Sequence, residues 1–144
     1  MRYDIAAHPT EYHGVMFRSR LEARWACLFD LLDWSWEYEP IDLVSWSPDF
    51  LIKQTCNVCG MHEMYAEVKP YYDIIQFKTH PIWKYKEFCA MLGQNPDITF
   101  LRAKHATEGG FDTGPLSFWY NRFELLDLWI EAGNRTQWKP AEAE

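Results

Sequence analysis

Residues 47–69 run SPDFLIKQTCNVCGMHEMYAEVK, two apolar segments around a cysteine pair. Ser47–Lys53 carries Pro48-Asp49-Phe50-Leu51-Ile52, an apolar strand-like run with an acid at its head. Met64–Lys69 carries Tyr65-Ala66-Glu67-Val68-Lys69, a second such run. Cys56–Gly60 falls between them, so the pattern predicts a hairpin. Side chains alternate across a strand, which puts Tyr65, Glu67 and Lys69 on one face and Ala66 and Val68 on the other. Pairing of the two runs would bring Asp49 beside Glu67.

Outward from this hairpin the periodicity predicts the other elements. A helix is expected from Ser19 to Leu32, with Leu21, Trp25, Leu28 and Leu32 as its apolar stripe. Ser19 reads as its N-cap, with Glu22 three residues on. Ser35–Glu39 alternates as a strand and stops at Pro40. A second helix is expected from Thr79 or Pro81 to Gly93, with Pro in the first turn and Gly past the end. A strand follows at Ile98–Lys104, then a loop from Gly109 to Pro115. Asn121 reads as the cap of a helix over Arg122–Ala132, with Gly133 beyond it. Residues 1–17 read as irregular or extended, broken at Pro9 and Gly14. The class is α+β: helix, three strands, helix, strand, then an extra C-terminal helix.

The chain has 144 residues, which fits one domain over residues 1–139 and a loose acidic tail over 140–144. Apolar residues make up 48% and charged residues 24%, an ordinary balance for a globular protein. No apolar run is long enough to cross a bilayer, and the N-terminus lacks the apolar core of a signal peptide. The expectation is therefore no membrane partner and a cytoplasmic location. The net charge of -7 opposes tight general binding to nucleic acid and favours weak affinity or a restricted substrate. Four cysteines do not make a disulfide scaffold at this size; Cys27 and Cys89 fall on apolar faces of expected helices, as small hydrophobes.

Asp49, Glu67, Lys69 and the helical Glu22 are the candidate site. Carboxylates converging on a hard cation, with a lysine beside them, suit metal-assisted phosphodiester hydrolysis. The cation would activate water, and the lysine would orient that water or meet the developing negative charge. Glu67 and Lys69 alone could equally be a solvated strand face, since Glu-x-Lys is a common triplet. An acid inside an apolar strand is more specific, because a buried charge needs a partner or a metal. Glu22 has two readings, a capping role with Ser19 and a site role.

The segments Phe17-Arg18-Ser19-Arg20-Leu21-Glu22-Ala23-Arg24-Trp25-Ala26, Trp36-Glu37-Tyr38-Glu39-Pro40, Pro48-Asp49-Phe50-Leu51 and Glu67-Val68-Lys69-Pro70 resemble the PD-(D/E)xK nuclease superfamily, in particular its small phage-type and restriction-endonuclease-like members. Residues Trp129 to Lys139 also resemble that phage subgroup. The resemblance spans roughly residues 12–139. It implies a restriction-endonuclease-like core and a DNA endonuclease using Mg²⁺, with Mn²⁺ as a substitute. It implies that Asp49 and Glu67 bind the ion with the Val68 carbonyl, that Glu22 completes the site and that Lys69 is the catalytic lysine. A homodimer and, for a phage protein, the host cytoplasm follow from the same resemblance.

Cys56-Asn57-Val58-Cys59-Gly60-Met61-His62 departs from the short turn expected of that family. It resembles one zinc knuckle, with Cys56, Cys59 and His62 as ligands and a fourth from His80, His105, Cys89 or a second subunit. Free thiols or a labile disulfide are the other readings. Arg18, Arg20 and Arg24, with Lys78, Lys84 and Lys86, are candidate phosphate contacts or ordinary surface charges. The rival from another class is a non-catalytic nuclease-fold protein that binds nucleic acid or a partner protein, such as a phage factor. RNA as substrate is a third reading.

Overall fold

The computed structural model describes residues 9–43, 46–56, 60–71, 89–104, 111–114, 116 and 120–137. The chain enters through a small antiparallel hairpin, β1 (Thr10–Tyr12) and β2 (Val15–Phe17). Two residues turn it, His13 at φ 51° and Gly14 at φ 75°, the left-handed pair that a tight hairpin turn requires. Helix α1 (Arg20–Leu31) follows at once. The Ser19 hydroxyl accepts the Glu22 backbone N–H and satisfies one orphan donor of the first turn.

Among the described residues, six strands then form one sheet in sequence order: β3 (Ser35–Tyr38), β4 (Phe50–Cys56), β5 (Gly60–Val68), β6 (Cys89–Leu92), β7 (Thr99–Lys104) and β8 (Phe111–Gly114). β3, β4 and β5 are an antiparallel meander. The expected hairpin is the middle of it, with Cys56 opposite Gly60 and Phe50 opposite Ala66. β5 and β6 run parallel, which requires a long crossover that residues 69–88 supply. β6, β7 and β8 return to antiparallel pairing. Helix α2 (Arg122–Arg135) is the last described element, capped by the Asn121 side chain on the N–H groups of Phe123 and Glu124. The molecule is α+β with a mixed sheet. No helix among the described residues is long and apolar enough to cross a membrane.

The main core lies between α1, α2 and one face of the sheet. Phe50 and Ile52 of β4, Met64, Ala66 and Val68 of β5, and Ala90 and Leu92 of β6 face Trp25, Leu28 and Phe29 of α1. A second, smaller cluster covers the other face, built on Trp46, Cys89 and Met91. α1 is buried more broadly than a single stripe: Ala23, Ala26 and Cys27 are buried too, while Leu21 and Leu32 are only half-buried. The cause is α2. The Trp129 ring packs tilted against Trp25 at 4.7 Å, Arg24 donates to the Trp129 carbonyl at 2.7 Å and lies over its ring, and Arg20 donates to the carbonyls of Gly133 and Thr136.

Four sequence expectations are corrected. Residues 89–92, expected to end the second helix, form strand β6; the earlier part of that helix lies outside the described residues. All four β6 residues are buried, since the strand is covered on both faces, and such a strand carries no alternation to read. Part of the expected 109–115 loop is strand β8. Gly133 does not end the last helix but lies inside it, where a Cβ would meet the Arg24 guanidinium at 2.8 Å. The two site strands also shift: Asp49 immediately precedes β4, and Lys69 immediately follows β5.

Gly93 marks no helix end but a close approach. A Cβ there would lie 2.5 Å from the Ile98 carbonyl oxygen, and the Gly93 carbonyl accepts the Trp25 indole N–H at 3.0 Å. Gly93→Ala is therefore expected to cost about 1–3 kcal/mol, read as a lower urea midpoint.

Candidate functional site

The register Phe50↔Ala66, carried one residue further, sets Asp49 across from Glu67. The Asp49 backbone N–H donates to the Ala66 carbonyl at 2.9 Å, and its carboxylate Oδ2 accepts the Val68 N–H at 2.8 Å. Those bonds fix Asp49 at the end of the hairpin. Lys69 is fixed by its own N–H to the Leu92 carbonyl at 2.9 Å, so the crossover to β6 begins at the site.

Glu22 arrives from the first turn of α1. Its carboxylate accepts the Ser19 hydroxyl at 3.3 Å and the Tyr38 hydroxyl at 3.1 Å, and pairs with Arg18 at 3.3 Å. The cap reading of Glu22 holds, since its N–H is capped by Ser19; its buried carboxylate faces Tyr38 and Arg18. Burial pushes the Tyr38 hydroxyl up to about 12, so it stays protonated and donates. On the other side, Glu67 accepts the Trp46 indole N–H at 3.2 Å and pairs with the Lys69 ammonium at 3.2 Å.

Arg18 joins the two halves. Its guanidinium donates to Asp49 Oδ1 at 2.6 Å and to Glu22 Oε2 at 3.3 Å, and its Nε donates to Tyr38 at 3.2 Å. The four expected residues thus meet at one end of the sheet, linked as Glu22, Arg18, Asp49, Glu67 and Lys69. Of the three arginines named from sequence, Arg18 reaches the acids, while Arg20 and Arg24 bond to α2 instead. Tyr38 and Trp46 were not singled out by sequence; their bonds span 16 and 21 residues, beyond the reach of local spacing.

The electrostatics are those of crowded acids. Burial, and then the charge of Glu67, push the Asp49 carboxyl well above the usual carboxylate range; the Val68 N–H opposes them without prevailing. Burial pulls the Lys69 ammonium down, but the Glu67 carboxylate outweighs it and raises it overall, so Lys69 is charged at neutral pH. Because folded Asp49 holds its proton more tightly than the unfolded chain, its contribution to stability is complete below the ordinary carboxylate range and shrinks as pH rises through it. In EDTA the melting temperature should fall from about pH 4 towards neutrality, and Asp49→Asn should flatten that slope.

Among the described residues, no three acid, histidine or cysteine side chains are grouped as a ready metal cage. The donor set nevertheless fits a hard cation. It is all oxygen, buried and rich in carboxyl groups, and a cationic group, the Arg18 guanidinium, already bridges two of them. The zinc candidate cannot be placed: Cys59 and the side chains of Cys56 and His62 lie outside the described residues, as do His80, His105, Lys78, Lys84 and Lys86. Cys89 pairs across from Tyr65, five positions or about 16 Å along β5 from Gly60, too far to ligate at the hairpin tip of the same chain. A separate cleft of about 480 Å³ lies by the entry hairpin, lined by His13, Asp30, Asp33, Trp34, Ser35 and Trp36. Its Asp30 is engaged in holding Tyr12 and Trp36, a structural use.

No family model, curated protein or solved structure matches the chain.

Proposed function

We propose that the chain is a Mg²⁺-dependent DNA endonuclease of the PD-(D/E)xK type, with a restriction-endonuclease-like core. The observation that carries this reading is the meeting of Glu22, Asp49, Glu67 and Lys69 from separate elements at one end of the sheet. The meander after α1 and the parallel β5–β6 pair are in keeping with the core order helix, three strands, helix, strand.

The Asp49, Glu67 and Glu22 carboxylates, with the Val68 carbonyl, would hold the ion, with Mn²⁺ as a substitute. When bound, the ion supplies Lewis-acid activation of the phosphate and a more acidic water. The chain supplies the rest. Lys69 keeps its positive charge beside Glu67, placed to orient the attacking water and to meet negative charge growing on the phosphate. Val68 N–H holds Asp49, Tyr38 and Ser19 hold Glu22, and Trp46 holds Glu67, so the acids do not reorganise during reaction.

The test is cleavage of branched, single-stranded and duplex DNA, with an RNA strand for comparison, in Mg²⁺ and in EDTA. Cleavage should require the cation and be lost in Asp49→Ala and Lys69→Ala; cleavage that survives both substitutions would place the chemistry elsewhere. A second reading, a non-catalytic nuclease-fold protein that binds nucleic acid or a partner, is favoured by two observations. Arg18 already occupies oxygens of Asp49 and Glu22, and the net charge is -7. Failure of any divalent cation to bind would select it.

A further inference from the structure

We propose that Arg18 is a resident counter-ion that competes with the divalent cation for Asp49 and Glu22, and so sets the cation concentration at which the site fills. The inference rests on the reading of this cluster as a cation site.

The geometry points to competition because both cations need the same oxygens. Asp49 Oδ2 already accepts the Val68 N–H, and Arg18 sits on the other oxygen, Oδ1, at 2.6 Å. The same guanidinium nitrogen lies 3.3 Å from Glu22 Oε2. A guanidinium and a metal ion cannot occupy that space together.

Exposure decides which partner moves. The Asp49 and Glu22 side chains are 6% and 4% exposed, whereas the Arg18 side chain is 63% exposed. The acids are walled in, and the arginine arm can swing outward. Glu39 stands on that outer side, 3.9 Å from the guanidinium and 55% exposed, as the acid that can receive it. Arg18 also sits before the Ser19 cap, outside α1, so its departure breaks no helical turn. In the metal-free protein its charge offsets buried carboxylates that would otherwise repel each other. The cation must displace that charge, so the apparent affinity is the intrinsic affinity multiplied by the fraction of molecules in which the arginine is undocked.

The experiment is calorimetric titration of Mg²⁺ alone into the wild type, Arg18→Gln and Arg18→Lys, with no nucleic acid. Arg18→Gln should bind roughly tenfold more tightly and melt at a lower temperature in EDTA. Arg18→Lys keeps the charge but cannot reach Asp49 and Tyr38 together, so its affinity should fall between the two. A wild-type sample provides an arm independent of variant folding: the Arg18 Nε–H resonance should shift over the same Mg²⁺ range that saturates the heat signal. Arg18→Gln binding no more tightly than wild type would overturn the inference. So would Arg18→Lys matching wild type, since the effect would then be charge at a distance, or an Arg18 resonance that stays still as the site fills. If no cation binds to any of the three proteins, the cation site itself falls, and the competition with it.

Discussion

Lys69→Ala should not weaken Mg²⁺ binding, yet should lower the cleavage rate by about 10²–10³-fold. Lys69 lies at the exit of β5, its backbone held by Leu92 and its ammonium 3.2 Å from Glu67. Removing the side chain takes a positive charge away from the acids, which favours a cation if it changes anything. What disappears is a charge fixed where water and phosphate would meet, and such a charge matters most in the transition state. Asp49→Asn should behave in the opposite way. The amide keeps the size and can still accept the Val68 N–H, but it lacks the charge, so cation binding itself is lost. Equal effects of both variants on affinity would remove the separate roles assigned to the two residues.

Trp25→Ala should destabilise the protein by about 3–5 kcal/mol. Trp25 is fully buried, packs 4.7 Å from Trp129 and 6.0 Å from Phe29, and donates its indole N–H to the Gly93 carbonyl at 3.0 Å. It therefore ties α1 to α2 and to the end of β6 at once. Trp25→Phe keeps much of the packing and should lose about 1–3 kcal/mol, mostly for the carbonyl left unpaired. Urea unfolding of both variants checks this; similar losses would mean that ring packing contributes little, and an unchanged Trp25→Phe that the indole hydrogen bond contributes nothing. Because α1 carries Glu22 within one turn of the Trp25 anchor, a loosened helix should also weaken the proposed cation site.

Local patterns carried much of this architecture. Ser19 and Asn121 cap the two helices as their spacing implies, because capping depends on residues only two or three apart. The β3–β4–β5 meander follows from alternation interrupted at Pro40 and by the Cys56–Gly60 segment. β6 was not legible. Cys89-Ala90-Met91-Leu92 has good helix formers and a following glycine, but parallel pairing with β5 and burial on both faces override that preference. The two glycines that looked like helix stops, Gly93 and Gly133, are packing positions whose neighbours come from distant segments.

The candidate site divides in the same way. Glu22, Asp49, Glu67 and Lys69 stand out in sequence as residue types in a pattern, and the fold brings them together. The three arginines look alike in sequence, two residues and four residues apart on one segment. Their fates separate because α2 packs against Arg20 and Arg24 and leaves Arg18 facing the acids. Sequence spacing carries no information on where a helix more than a hundred residues away will dock.

A cleavage assay depends on choosing the right substrate; cation binding does not. The most direct measurement is therefore calorimetric titration of Mg²⁺ and Mn²⁺ into the wild type and Asp49→Ala. Saturable binding to the wild-type chain that disappears in Asp49→Ala is the expected result. No binding to the wild type, or binding unchanged in Asp49→Ala, would contradict it.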